Sequence, residues 1–156
     1  MEEKSLVTEE MRALLGKDWP PVVLEVDRAS IRMWARAVGF DDLVYYDEEV
    51  AAERGFERLP APPGFAGTPR YRPGQPDPGP PIRGLNPKLT RSLNAGTEFE
   101  SVLPILAGDE LVATTRIVDY QERTGSVGRM LLITRETTYR RGPEVVARLR
   151  ATAINY

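Results

Sequence analysis

The chain of 156 residues contains no cysteine and no histidine. The first absence removes disulfides, thiolate metal ligands and a cysteine nucleophile. The second removes the side chain that most often moves protons near neutral pH. With both missing, no transition-metal site is expected, and only an all-carboxylate magnesium or calcium site is left open. Neither a metal nor another cofactor is therefore expected. Long apolar runs are lacking as well, since none approaches the ~20 residues of a membrane helix. The start, Met1-Glu2-Glu3-Lys4, is acidic and has no apolar signal core. These features lead to an expectation of a cytoplasmic protein without a membrane. A net charge of −2 gives no support to a nucleic-acid partner.

What is present suits one soluble domain over residues 1–156, with 41% apolar residues for a single core. The centre of the chain is Ile31 to Phe65. Ile31, Trp34, Ala35 and Val38 recur at i, i+3, i+4 and i+7, one face of a helix. Asp27 can cap its start and Gly39 can stop it. A second short helix follows, capped by Asp47, with Glu48 and Glu49 at the positive end of its dipole and Gly55 at its end. Core packing is the expected role of Trp34.

Around this centre the elements follow in order. Residues 1–19 read as an N-terminal helical arm, capped by Thr8 and ended by Gly16. Val22 to Val26 reads as a short strand, a candidate for a sheet edge. Residues 60–84 hold nine of the 14 prolines and five glycines. Neither helix nor strand is expected there, because each proline removes a donor. Then come four extended runs: Leu89–Leu103, Glu110–Glu122, Val127–Tyr139 and a last one of clean alternation. In that last run Val145, Ala147, Leu149, Ala151 and Ala153 share one face, and Val146, Arg148, Arg150 and Thr152 the other. Tight turns between the runs predict an antiparallel sheet.

Three segments carry a resemblance. They are Gly39-Phe40-Asp41-Asp42-Leu43-Val44-Tyr45-Tyr46-Asp47, Ser92-Leu93-Asn94-Ala95-Gly96-Thr97-Glu98-Phe99, and the turn of Pro104, Gly108 and Asp109. Together they resemble the MaoC-like hydratases and dehydratases of the hot-dog fold, over roughly Val22 to Tyr156. In catalytic members a helix ends in Gly-Asp-x-Asn-Pro-Leu-His-x-Asp, whose Asp and His activate a water. Without gaps, that Asp falls on Phe40 and that His on Tyr45. Tyrosine there, followed by Ala61-Pro62-Pro63, resembles the non-catalytic, FAS1-like dehydratase branch. No catalytic residue is thus expected in this chain, since phenylalanine has no proton to move and tyrosine is a poor base near neutral pH.

The resemblance implies an α+β fold: a single hot dog, a curved antiparallel sheet with short helices. The Pro/Gly-rich loop at 60–84 would stand where the long central helix normally lies. It also implies edge-to-edge pairing with a catalytic hot-dog subunit that keeps its Asp and His, as a heterodimer or heterotetramer. The function expected is that of a tunnel-forming subunit of a heteromeric enoyl-CoA hydratase, a hydro-lyase for bulky acyl-CoA. The missing helix would widen the tunnel, as in the hydratases of steroid side-chain thioesters. The candidate substrate-binding residues are Tyr45, Phe65, Asn94 and Gly96. For Asn94 and Gly96 a plain β-bulge is the competing reading, and for Tyr45 core packing. Residues 1–78 carry net −5 and residues 79–156 net +3, and the basic half could draw the phosphates of coenzyme A or a carrier protein. Two other functions stay open. One is a binding module for an acyl-CoA or sterol-like ligand without chemistry. The other is a carboxylate-dependent thioesterase using Asp41 or Asp42, residues that otherwise end a helix and cap a turn.

Overall fold

The computed structural model describes residues 4–74 and 85–156. Helix α1 spans Glu9–Leu14, α2 Arg28–Val38 and α3 Glu48–Glu53, with a 3-10 turn at Leu43–Tyr45. The strands are β1 Val22–Glu25, β2 Thr68–Pro69, β3 Ser92–Ser101, β4 Glu110–Gly125, β5 Gly128–Arg141 and β6 Glu144–Asn155. They form one curled antiparallel sheet in the order β2-β1-β4-β5-β6-β3.

The capping chemistry reads directly from the chain. Side chains of Thr8, Asp27 and Asp47 accept N–H bonds at the starts of α1, α2 and α3. Gly39 closes α2 in the left-handed region at φ 82°, the conformation glycine adopts without a Cβ penalty. Gly125 and Gly128 bracket a two-residue hairpin turn between β4 and β5.

Several expectations are corrected. The arm is helical only over Glu9–Leu14. From Leu15 the chain turns alongside β4, where the Gly16 and Trp19 N–H groups donate to Ile117 O and Thr115 O at 2.8 and 2.7 Å. The proline-rich segment does contain a strand: Thr68 and Pro69 pair with Glu25 and Leu24. Pro69 is tolerated because β2 is the sheet's edge, which moves β1 one place inward. The third strand is shorter than expected, Ser92–Ser101 against Leu89–Leu103. Val146 is wholly buried rather than on the outer face with Arg148. A bulge between Tyr139 and Arg140 in the β5–β6 register inserts an extra residue, and Val146 O accepts from both Val102 N and Leu103 N. Between Gly55 and Ser92 no helix occurs among the described residues; residues 75–84 of the expected loop lie outside them.

The single core expected divides into two clusters. One joins Ile31 and Ala35 of α2, Val44, Ala51 of α3, Leu59 and Phe65 to Leu111, Ala113, Val146 and Ala147. Half-buried Trp34 packs on it. The other joins Leu6 and Met11 to Ile117, Leu131 and Ile133. Each fully buried side chain of this size contributes about 1.5–3 kcal/mol. The first cluster thus ties the α2–α3 segment to one end of the sheet, and the second ties the arm to the other.

Candidate functional site

The segment between α2 and α3 is held from within. Asp42 Oδ1 accepts from Val44 N at 3.0 Å, and Asp42 Oδ2 from Arg54 Nη1 at 2.7 Å. Arg32 Nε donates to Tyr46 O at 3.0 Å, and the Tyr46 hydroxyl donates to Phe40 O. This bracing fixes where Phe40 and Tyr45 point. Their rings meet at 5.8 Å and 45°. Phe40 also lies 6.2 Å from Trp34, and Trp34 lies 6.0 Å from Phe65. The tilted geometries are favourable for aromatic pairs.

Beside this aromatic row opens a groove of about 480 Å³, within the range of small-molecule sites. Tyr45, Phe56 and Phe65 line it together with Phe99 and Ser101 of β3. Pro60 to Pro63 also contribute to the lining. Phe99 in turn meets Tyr139 of β5 at 6.0 Å, and burial pushes the Tyr139 hydroxyl pKa up. The groove is lined mostly by apolar and aromatic groups. Its charged members, Asp42 and Arg54, are paired with each other.

Of the sequence-predicted residues, the structure brings Tyr45 and Phe65 together here. Asn94 and Gly96 sit on the same edge strand as Phe99 but outside the groove lining. There they form a β-bulge, with a register shift between Asn94 and Gly96. Asn94 Oδ1 accepts from Gly96 N at 3.2 Å, so its amide serves the bulge itself. Asp42 is occupied as a cap and ion-pair partner. The Arg54 guanidinium, and then the Val44 N–H, hold its pKa below the usual carboxylate range. That makes it a weak general base. Asp41 is exposed and lies outside the groove lining. Among the described residues, no cluster of three or more Asp or Glu could hold a metal ion.

Phe56, Phe99 and Ser101 were not singled out by sequence reasoning. Phe99 and Ser101 share a face of β3 by simple alternation, but nothing local says that this face meets the segment after α3.

Comparison with known proteins places this geometry. One family model, described as FAS1-like, dehydratase domain region, matches residues 13–148. The chain belongs to this family. A UPF0336 protein of Streptomyces griseus is 32% identical over 116 residues, covering 74% of this chain and 76% of that protein. Among solved structures, the ChsH1-ChsH2 complex of Mycobacterium tuberculosis superposes with a TM-score of 0.73 at 17% identity, over 89% of this chain and 88% of its counterpart. The HadBC complex of the same organism, a 3R-hydroxyacyl-ACP dehydratase, gives 0.69 at 23% identity, over 96% and 99%. A MaoC-like dehydratase of Rhodospirillum rubrum gives 0.61 at 20%, over 91% and 92%. At these identities the structural likeness shows the fold, and the fold of this FAS1-like chain is the MaoC-like hot dog.

Proposed function

We propose that the chain is the non-catalytic, tunnel-shaping subunit of a heteromeric enoyl-CoA hydratase for bulky acyl thioesters. The observation that carries this reading is the ring pair of Phe40 and Tyr45 at the places where catalytic relatives keep Asp and His. Hydration of an enoyl thioester needs a base for water, an acid for the α-carbon and donors for the thioester oxygen. Two tilted aromatic rings supply none of these in place of an Asp–His pair. Tyr45 does line the groove, with Phe40 packed against its ring.

Tyr45 and Phe65 then contact the acyl group, while a hot-dog partner with an intact Asp–His motif performs the chemistry. Two solved relatives of this fold are complexes of two differently named chains, which supports a second subunit here. The groove opens beside β3, whose outer edge has no neighbour among the described strands. A steroid-sized acyl group is the substrate we favour. The assembly is a heterodimer or heterotetramer, without a cofactor, in the cytoplasm.

The test is co-expression with a hot-dog chain encoded beside this one and carrying Gly-Asp-x-Asn-Pro-x-His. Purification by a tag on this chain is followed by hydration assays with a short and a steroid-sized enoyl-CoA. Activity only in the complex, with preference for the large substrate, is expected. A robust rate from this chain alone would overturn the proposal. A stable chain that binds the thioester, ignores the partner and turns nothing over would make it a binding module.

A further inference from the structure

By alternation, the inner face of β5 carries Ile133, Arg135, Thr137 and Tyr139. Ile133 is buried in the core, and the Thr137 hydroxyl is hydrogen-bonded to that of Thr115 at 2.8 Å. The polar groups on either side of Thr137 are different. The Arg135 guanidinium and the Tyr139 hydroxyl have no hydrogen-bond or ion-pair partner among the described residues. Both residues are part-buried, yet neither polar group is sealed from solvent. Burial raises the Tyr139 pKa and the Arg135 charge draws it down in part, so the two groups feel each other.

The surroundings leave room for a ligand and connect these donors to the groove. Arg135 stands opposite Ile117 and Ala151, and Tyr139 opposite Ala113 and Ala147. On β6, therefore, only a methyl group stands directly beside each donor. The row of Tyr139 continues through Ala147 to Ser101 of β3, which lines the groove. The Tyr139 ring also packs at 6.0 Å on Phe99, another groove residue. Two strand spacings, roughly 10 Å, separate Ser101 from Tyr139, and four residues, roughly 13 Å of strand, separate Tyr139 from Arg135.

We propose that Arg135 and Tyr139 bind a carboxylate carried by the ligand whose apolar body lies in the groove. A part-buried guanidinium without a counter-charge carries a desolvation cost, and an anion that arrives with the ligand offsets it. The planar fork of arginine matches the two oxygens of a carboxylate, and the phenol hydroxyl adds a further donor. A purely hydrocarbon ligand would leave both donors unpaired. A cation held at a cost to packing also marks a place where function overrides stability. The inference deepens the proposed function and rests on it in one respect. If the ligand is an acyl thioester, its acyl group bears a carboxylate remote from the thioester.

The test is calorimetric titration of the purified chain with decanoate and with decanol, which share a tail and differ in the head group. Wild type is expected to bind decanoate about tenfold more tightly than decanol. Arg135→Met should bind the two alike. Tyr139→Phe should weaken decanoate about threefold and leave decanol unchanged, which gives a second measure should Arg135→Met fail to fold. No binding of decanoate, no preference over decanol, or a full preference kept in Arg135→Met overturns the proposal. The subunit reading fails separately. If no hot-dog partner joins the chain, that reading fails, and the decanoate preference still decides the carboxylate site. If an active complex hydrates an enoyl-CoA with a terminal carboxylate no better than its methyl ester, the carboxylate proposal fails and the subunit reading stands.

Discussion

Gly64 shows how tightly single residues are placed around the groove. It lies at φ 90°, and a Cβ built there would come 3.0 Å from the Trp34 ring. Gly64→Ala therefore meets both backbone strain and a clash, with a cost of about 1–2 kcal/mol. The measurement is chemical denaturation with Trp34 fluorescence, which should also shift in the folded state. Asp109 is the second such residue. Its buried carboxylate accepts from Leu106 N at 2.9 Å, Arg58 at 3.0 Å and Arg141 at 2.8 Å. Burial pushes its pKa up, but the Leu106 N–H and the two guanidinia together outweigh this and hold it below the ordinary value. A depressed folded pKa means stability that is present above the unfolded value of about 3.9 and lost as pH falls through the folded value. Asp109→Asn should cost about 2–3 kcal/mol at neutral pH. It should also flatten the acid limb of a melting-temperature profile. The importance of this turn was legible as a Pro-x-x-x-Gly-Asp pattern, but its two arginines were not, because they come from residues 58 and 141.

At the scale of elements, the N-terminal arm is the informative case. Thr8, Glu9 and Glu10 announce a helix start, and the cap is where they put it. Where that helix packs is a tertiary fact. Met11 is fully buried against Ile117, Leu131 and Ile133, and the Tyr120 hydroxyl donates to Met11 O at 3.0 Å. Met11→Ala should cost about 2–4 kcal/mol, read as a lowered denaturation midpoint. Because the first cluster shares no buried residue with the second, the Phe40–Tyr45 row should keep its near-ultraviolet dichroism in that variant. Strand ends follow the same rule. Glycines at 125 and 128 mark the β4–β5 turn in the sequence, whereas the limits of β3 depend on its pairing with β6.

At the scale of the molecule, Arg135 reports on the sheet's inner face. It stands opposite Ile117 and Ala151, half-buried, and burial lowers its basicity. It has no ion pair among the described residues. Replacing a half-buried cation that lacks a counter-charge with an apolar side chain of similar length removes a desolvation cost. Arg135→Met is therefore expected to raise stability by about 1 kcal/mol, measured by thermal unfolding. The sequence alone determined the helix caps, the order of the long strands along the chain and the lack of histidine, because each is local or a simple absence. Only the tertiary structure decided that Phe40 and Tyr45 meet, that Phe99 joins Tyr45 at one groove and that Val146 turns inward. Alternation along a strand is written in neighbouring residues. Bulges, register and the identity of the edge arise from hydrogen bonds between segments far apart in the chain, and no local pattern records those.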